Sequence, residues 1–258
     1  MIDSLHFLEE FQYFDNFFHH RPHRVMIVSI DSTFEATKTE IIDVINGETC
    51  SNLADFKIIL EPVGTNLQET PVLCGRDLIH SFKFKCYKFI KNDGWQEFAS
   101  LNGKRDMGAG IVYKNKFHVF GGSGRDSNLK TSVIISESGV SEDGPDLKTA
   151  ISSHAITIIN STMSIITGGT TSISDMTSET WYYNHETKIF TSGPELMEAR
   201  SSHGSATIID KTTKEKIPVV TGGHLENKLV TDSTELLIKG RWQKGTYYTP
   251  LRTARISD

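Results

Sequence analysis

Short apolar runs that end in a pair of glycines recur through this 258-residue chain, and no other feature constrains its fold as tightly. The runs are Phe117–Gly122 (FHVFGG), Ser164–Gly169 (SIITGG) and Ile217–Gly223 (IPVVTGG). Pro71–Arg76 (PVLCGR) is a degenerate copy that keeps Gly75, and Val25–Asp31 (VMIVSID) keeps only the apolar lead-in. The first positions of the pairs, Ile30, Gly75, Gly121, Gly168 and Gly222, lie 45, 46, 47 and 54 residues apart. A polar insertion at Lys211–Lys216, expected at a hairpin tip, accounts for the long last interval, because insertions at such tips cost little.

A second landmark drifts in step with the first. Leu101-Asn-Gly-Lys-Arg105, Leu147-Lys-Thr-Ala-Ile151, Leu196-Met-Glu-Ala-Arg200 and Leu251-Arg-Thr-Ala-Arg255 lie 46, 49 and 55 residues apart. Within the unit 106–147, apolar runs at Met107–Tyr113, Lys116–Phe120, Ser132–Ser136 and near Val140 are separated by turn signals such as Lys114-Asn115. Four short strands per unit, with no useful helical period between 24 and 258, predict an all-β propeller of four-stranded antiparallel blades. Glycine suits the end of an inner strand, since it permits positive φ and close backbone approach. No helix is predicted after any pair, so the glycines do not read as a phosphate loop. Gly75, Gly121, Gly122, Gly168, Gly169, Gly222 and Gly223 are therefore expected to be structural.

These residues resemble the kelch repeat family, whose landmarks are the double glycine, an aromatic on the third strand and a tryptophan on the fourth. The match runs from Gly168-Gly169 through Glu179-Thr-Trp181-Tyr182-Tyr183 to Phe190, which stands where the family has tryptophan. Tyr87 and Trp95 take those places in an earlier unit and Trp242 in the last, while the unit after Gly122 offers only Ile134 and Ile135. The resemblance spans 24–258 and implies about five represented blades of a ring that usually has six. It leaves 1–23 as a non-propeller segment and makes the chain, which stops at Ile256-Ser-Asp258, a fragment truncated at its C-terminus.

The resemblance implies a scaffold that binds a protein or peptide through the loops joining blades and those after the glycine pairs. Arg76, Arg105, Arg125, Arg200 and His224 are the candidate partner-binding residues, because a guanidinium fork suits carboxylates. The alternative for Arg105 and Arg200 is a brace between neighbouring blades. For Arg125 it is plain solvation. His154 and His203 follow Ser-Ser at equivalent positions, and such repetition points to hydrogen bonding within the fold rather than to a catalytic base.

Enzymes on the same scaffold, a copper-radical sugar oxidase or a sialic-acid mutarotase, are the rival class. The oxidase needs a cysteine-linked tyrosine with two histidines, and no motif supplies that set, so no catalytic residue, cofactor or metal is assigned. A substrate-recognition role in a ubiquitin-ligase adaptor would need an oligomerisation domain that the sequence does not display. Phe7, Phe11, Phe14 and Phe18 fall on one helical face, for a membrane, a partner or a cap over the propeller edge, and His19, His20 and His23 follow without the rest of a metal site.

Composition narrows the classes further. A formal charge of −5 with acids and bases interspersed provides no basic surface for nucleic acid. No apolar run reaches bilayer-spanning length. Met1 to His20 lacks the basic start and apolar core of a secretory signal, which predicts a cytoplasmic protein if Met1 is the true start. Cys74 and Cys86 flank a glycine turn and can pair if the strands register them. Asn160-Ser-Thr162 is a glycosylation sequon at a predicted hairpin tip. Both features suit a secreted protein whose signal is missing, and the resemblance points the same way, because secreted kelch proteins carry a cysteine at this turn and another on the next strand.

Overall fold

The computed structural model describes residues 24–30, 37–43, 49–50, 59–67, 70–77, 84–90, 93–101, 104–171, 175–210, 212–226 and 230–245. Every regular element among them is a strand. An antiparallel three-stranded sheet comes first: β1 (Arg24–Ile30), β2 (Thr37–Asp43) and β3 (Thr49–Cys50). It corresponds to the second to fourth strands of the degenerate first unit. Two four-stranded sheets follow in chain order. One holds β4 (Ile59–Leu67), β5 (Thr70–Asp77), β6 (Phe84–Ile90) and β7 (Gly94–Leu101). The next holds β8 (Ala109–Tyr113), β9 (Lys116–Phe120), β10 (Ser132–Ser136) and β11 (Ser141–Asp143).

The second half repeats the plan with β12 (Ala155–Ile158), β13 (Met163–Thr167), β14 (Thr180–Asn184) and β15 (Ile189–Ser192). After a short β16 (Arg200–Ser201) come β17 (Gly204–Ile209) and β18 (Lys216–Thr221). Then β19 (His224–Leu225) pairs back to β16, and β20 (Thr234–Ile238) and β21 (Arg241–Lys244) complete the last four-stranded sheet. The chain divides into two compact units, Met1–Asp146 and Leu147–Asp258. Residues 1–23 and 246–258 lie outside the described residues, and with them the Phe7–Phe18 pattern, His19, His20, His23, Leu251 and Arg255.

Local chemistry explains the hairpins. Lys114 (φ 46°) and Asn115 (φ 59°) form a two-residue turn with both residues left-handed, the turn whose twist matches that of antiparallel strands. Lys239 and Gly240 do the same between β20 and β21. The described residues of the inserted polar segment, 212–216, lie at the tip between β17 and β18, as their composition predicts. There Asp210 Oδ1 accepts the amides of Thr212 (2.8 Å) and Thr213 (2.7 Å), and these bonds hold its carboxyl below the usual range.

Period-2 alternation builds the core. In the first unit Val72 and Cys74, Phe84 and Cys86, Phe117 and Val119, and Val133 and Ile135 alternate into one buried cluster. The other face is also covered on the inner strands: His118, Phe120 and Ile134 are buried too. In the second unit Ile165, Leu196, Val220 and Trp242 form the corresponding cluster. Trp242 on β21 donates its indole N–H to the Pro194 carbonyl at 3.0 Å, tying the last sheet to the linker of the one before. First strands of neighbouring sheets meet within each unit, β4 against β8 and β12 against β17. Thr207 Oγ1, for example, donates to the Ile158 carbonyl at 2.5 Å.

The third- and fourth-strand aromatics are cross-strand pairs. Tyr183 stacks on Phe190 with centroids 4.7 Å apart, and Phe89 meets Trp95 edge-on at 5.5 Å. Cys74 and Cys86 are directly opposite on β5 and β6, with Cα atoms 4.0 Å apart, and form a disulfide. One expectation is corrected. Gly75 does not end its strand as the other glycines do: β5 runs on through Gly75 and Arg76 to Asp77, and Gly75 is not among the positive-φ glycines. With the second glycine replaced by Arg76, a ladder to Lys85 and Phe84 takes the place of the turn.

Candidate functional site

Each intact glycine pair closes the second strand of its sheet, an internal strand, and starts a loop to the third. Both residues are left-handed in all three copies: Gly121 (φ 56°) and Gly122 (φ 101°), Gly168 (55°) and Gly169 (104°), Gly222 (68°) and Gly223 (90°). Close approach adds to the requirement. A Cβ on Gly169 would sit 2.7 Å from the Ser152 carbonyl oxygen, and one on Gly223 2.5 Å from that of Ser201.

The residue after each pair bridges in two directions. Ser123 pairs with Asp106 and with Asn128, Thr170 with Ser152 and Met176, and His224 with Ser201 and Val230. The second glycine's carbonyl then accepts an amide from the returning chain: Leu129 at 2.7 Å, Thr177 at 3.0 Å and Thr231 at 3.0 Å. The first glycine's amide donates to the residue before the third strand, Thr131, Glu179 or Ser233. At the described ends of each loop the backbone is therefore held by hydrogen bonds to the linker and to the returning chain.

The two landmarks that drift together in sequence meet here. Arg105 donates to the carbonyls of Gly121 and Thr131 (2.7 Å to the latter) and to the Thr131 hydroxyl at 2.8 Å. Arg200 repeats this on Gly222 (3.0 Å) and Ser233 (3.2 Å to the carbonyl, 3.0 Å to the hydroxyl). It adds a 2.7 Å ion pair to Glu235, whose other oxygen accepts the Met197 amide at 2.7 Å. The guanidinium thus straps the linker to the glycine loop of the sheet that the linker enters. Burial pushes the Arg105 guanidinium down to about 10, with Asp143 partly offsetting it, so it stays cationic at neutral pH. In the repeat between them Ile151 replaces the arginine and is fully buried.

Three of the five arginine and histidine candidates are consequently committed inside the molecule. Arg200 is 0% exposed, which removes it from any solvent-facing surface. The expectation of a binding role is corrected there, and the brace is what the geometry contains. Arg105 is half-buried in the same kind of strap. Arg76 lies 3.2 Å from buried Asp106, which Lys104 also reaches at 3.0 Å, so it anchors the following linker. Arg125, with Asp126 and Ser127, is exposed in its loop, whose turn is closed by Gly124 N–H donating to the Ser127 carbonyl at 2.8 Å. His224 is exposed in the last sheet's loop. Arg125 belongs to the first compact unit and His224 to the second.

Two of the buried histidines are held by hydroxyls. His203 Nε2 lies 2.9 Å from Thr167 Oγ1, and His185 Nε2 2.8 Å from Ser164 Oγ. Burial, then Arg200 and His154, push His203 down to about 3, and burial pushes His185 down to about 4. His154 is buried in the position equivalent to His203. Asn160 is exposed at the tip between β12 and β13. Among the described residues, no group of three or more His, Cys, Asp or Glu side chains is placed to hold a metal ion. No helix there is long and apolar enough to cross a membrane.

Several members of this frame were not singled out from sequence. Gly144 and Gly193 donate to the carbonyls of Ser132 and Thr180, whose hydroxyls donate to Pro145 (2.7 Å) and Pro194 (2.8 Å). The signal was present as Gly-Pro-Asp-Leu147 and Gly-Pro-Glu-Leu196, a third repeated landmark. Glu235, Thr131 and Ser233 carried no such mark.

Repeated four-stranded antiparallel sheets, with like-placed glycine loops, define an all-β protein of β-propeller-like fold. A solved structure of YjhT is similar to it, with a TM-score of 0.70 at 10% sequence identity, covering 86% of this chain and 80% of that one. No protein-family model matches the chain, and no curated protein does.

Proposed function

We propose that the chain is a kelch-type propeller scaffold that binds a protein or peptide through the loops after its glycine pairs. The supporting observation is a contrast within those loops. Their described backbone is tied down where they leave the glycine pairs, by the bridges at Ser123, Thr170 and His224, while the side chains of Arg125, Asp126 and His224 are exposed. A backbone already held in place loses little further entropy on binding, and an exposed guanidinium suits a carboxylate on the partner.

The test is selection of peptides from a displayed library on the purified chain, followed by titration against Arg125→Ala and His224→Ala. Selected peptides are expected to be acidic, and Arg125→Ala is expected to weaken them about tenfold, roughly 1.4 kcal/mol. Hydrogen-exchange protection confined to surfaces away from these loops would overturn the reading. So would stoichiometric copper binding with oxidase activity on a sugar.

A further inference from the structure

We infer that Asn160 carries an N-linked glycan, added in the same oxidising compartment in which Cys74 and Cys86 pair. Two independent features lead there, one in each compact unit. The first is the disulfide, whose cysteines are both 0% exposed and directly opposed across two strands. Structural disulfides persist in secretory and extracellular compartments and are rare where glutathione keeps thiols reduced. Forming this one removes two electrons and two protons, taken up by a disulfide-exchanging oxidant of that compartment.

The second is the sequon. Asn160-Ser161-Thr162 has no proline in its middle position and sits at the tip between β12 and β13, where Asn160 and Ser161 are exposed. All three hydrogen bonds of the Asn160 side chain are made by Oδ1, which accepts from the Thr162 amide (2.9 Å), the Thr162 hydroxyl (3.3 Å) and the Met163 amide (3.0 Å). That leaves Nδ2 as the uncommitted end, on a tip that can carry a bulky hydrophilic group without displacing packed side chains.

The donor is an oligosaccharide on a polyprenyl pyrophosphate. A bond forms between Nδ2 and the sugar C1, the C1–O bond to pyrophosphate breaks, and the pyrophosphate leaves with the electron pair. One amide proton passes to a base of the transferase. No redox change accompanies this step.

The protein isolated from its source is digested without reduction and mapped by mass spectrometry, before and after peptide N-glycosidase. The expected result is a glycopeptide that the glycosidase converts to Asp at position 160, together with a linked Cys74–Cys86 peptide. Unmodified Asn160 in the mature protein would overturn the glycan, and free thiols at both cysteines would overturn the compartment. The full chain routed through eukaryotic secretion behind an added signal provides a second arm. Thr162→Ala should lose the glycan and Thr162→Ser should keep it. An unglycosylated wild-type chain in that arm would also refute the site.

Discussion

Replacing Arg200 with methionine removes the cation from a carboxylate that is almost wholly buried. Glu235 is 2% exposed and would keep only the Met197 amide, so the variant is expected to lose about 3–5 kcal/mol, the cost of orphaning one member of a buried pair. Urea denaturation measures this. Arg200→Met with Glu235→Gln should cost less than the two single changes added together, because the pair fails as a unit. Arg200→Lys should not restore the wild type, since an ammonium cannot reach the Gly222 and Ser233 oxygens and Glu235 at once. His203 makes a separate prediction. Its folded pKa of about 3 lies below the ordinary 6.5, so the unfolded chain binds its proton first. The stabilisation is present above pH 6.5 and is lost as pH falls toward 3, at no more than about 1.4 kcal/mol per pH unit. His185 adds a like loss between 6.5 and about 4. Urea midpoints at several pH values should fall less steeply for His203→Gln than for wild type.

At the scale of the element, two glycines separate strain from crowding. Gly240 has φ 75° with nothing within 4 Å of a would-be Cβ, so Gly240→Ala should cost only the left-handed penalty, about 1–2 kcal/mol. Gly169 has φ 104° and the Ser152 carbonyl in the way, so Gly169→Ala should cost clearly more, by the same measurement. For the β5–β6 pair, Cys74→Ala with Cys86→Ala is expected to cost about 2–3 kcal/mol, because the bridge closes a short loop of separation 12. What was legible here followed from local rules. Lys114-Asn115 announced its turn, and short apolar runs announced β9 and β10. Gly75 misled because a single glycine without its neighbour does not enforce the left-handed exit, so the ladder to β6 prevailed.

For the molecule as a whole, the repeat was readable because both landmarks had to stay in register to meet: Arg105 with Gly121, and Arg200 with Gly222. What that meeting did to the candidate surface was not readable. An arginine after a loop has the same letter whether it faces a partner or a carbonyl, and Glu235, the residue that keeps Arg200 inside, lies 35 positions away with no motif to flag it. The exposed remainder, Arg125 and His224, is set by which side chains the frame does not use.

The tip between β17 and β18 has one more consequence. It is longer than the tips of the other repeats, and Lys214 N–H returns to the Asp210 carbonyl at 2.9 Å, while the two strands meet in register from Gly204↔Thr221 to Ile209↔Lys216. That makes it a graft point: an epitope tag or fluorophore-binding peptide placed there should report on the protein while its sheet keeps the parent melting temperature.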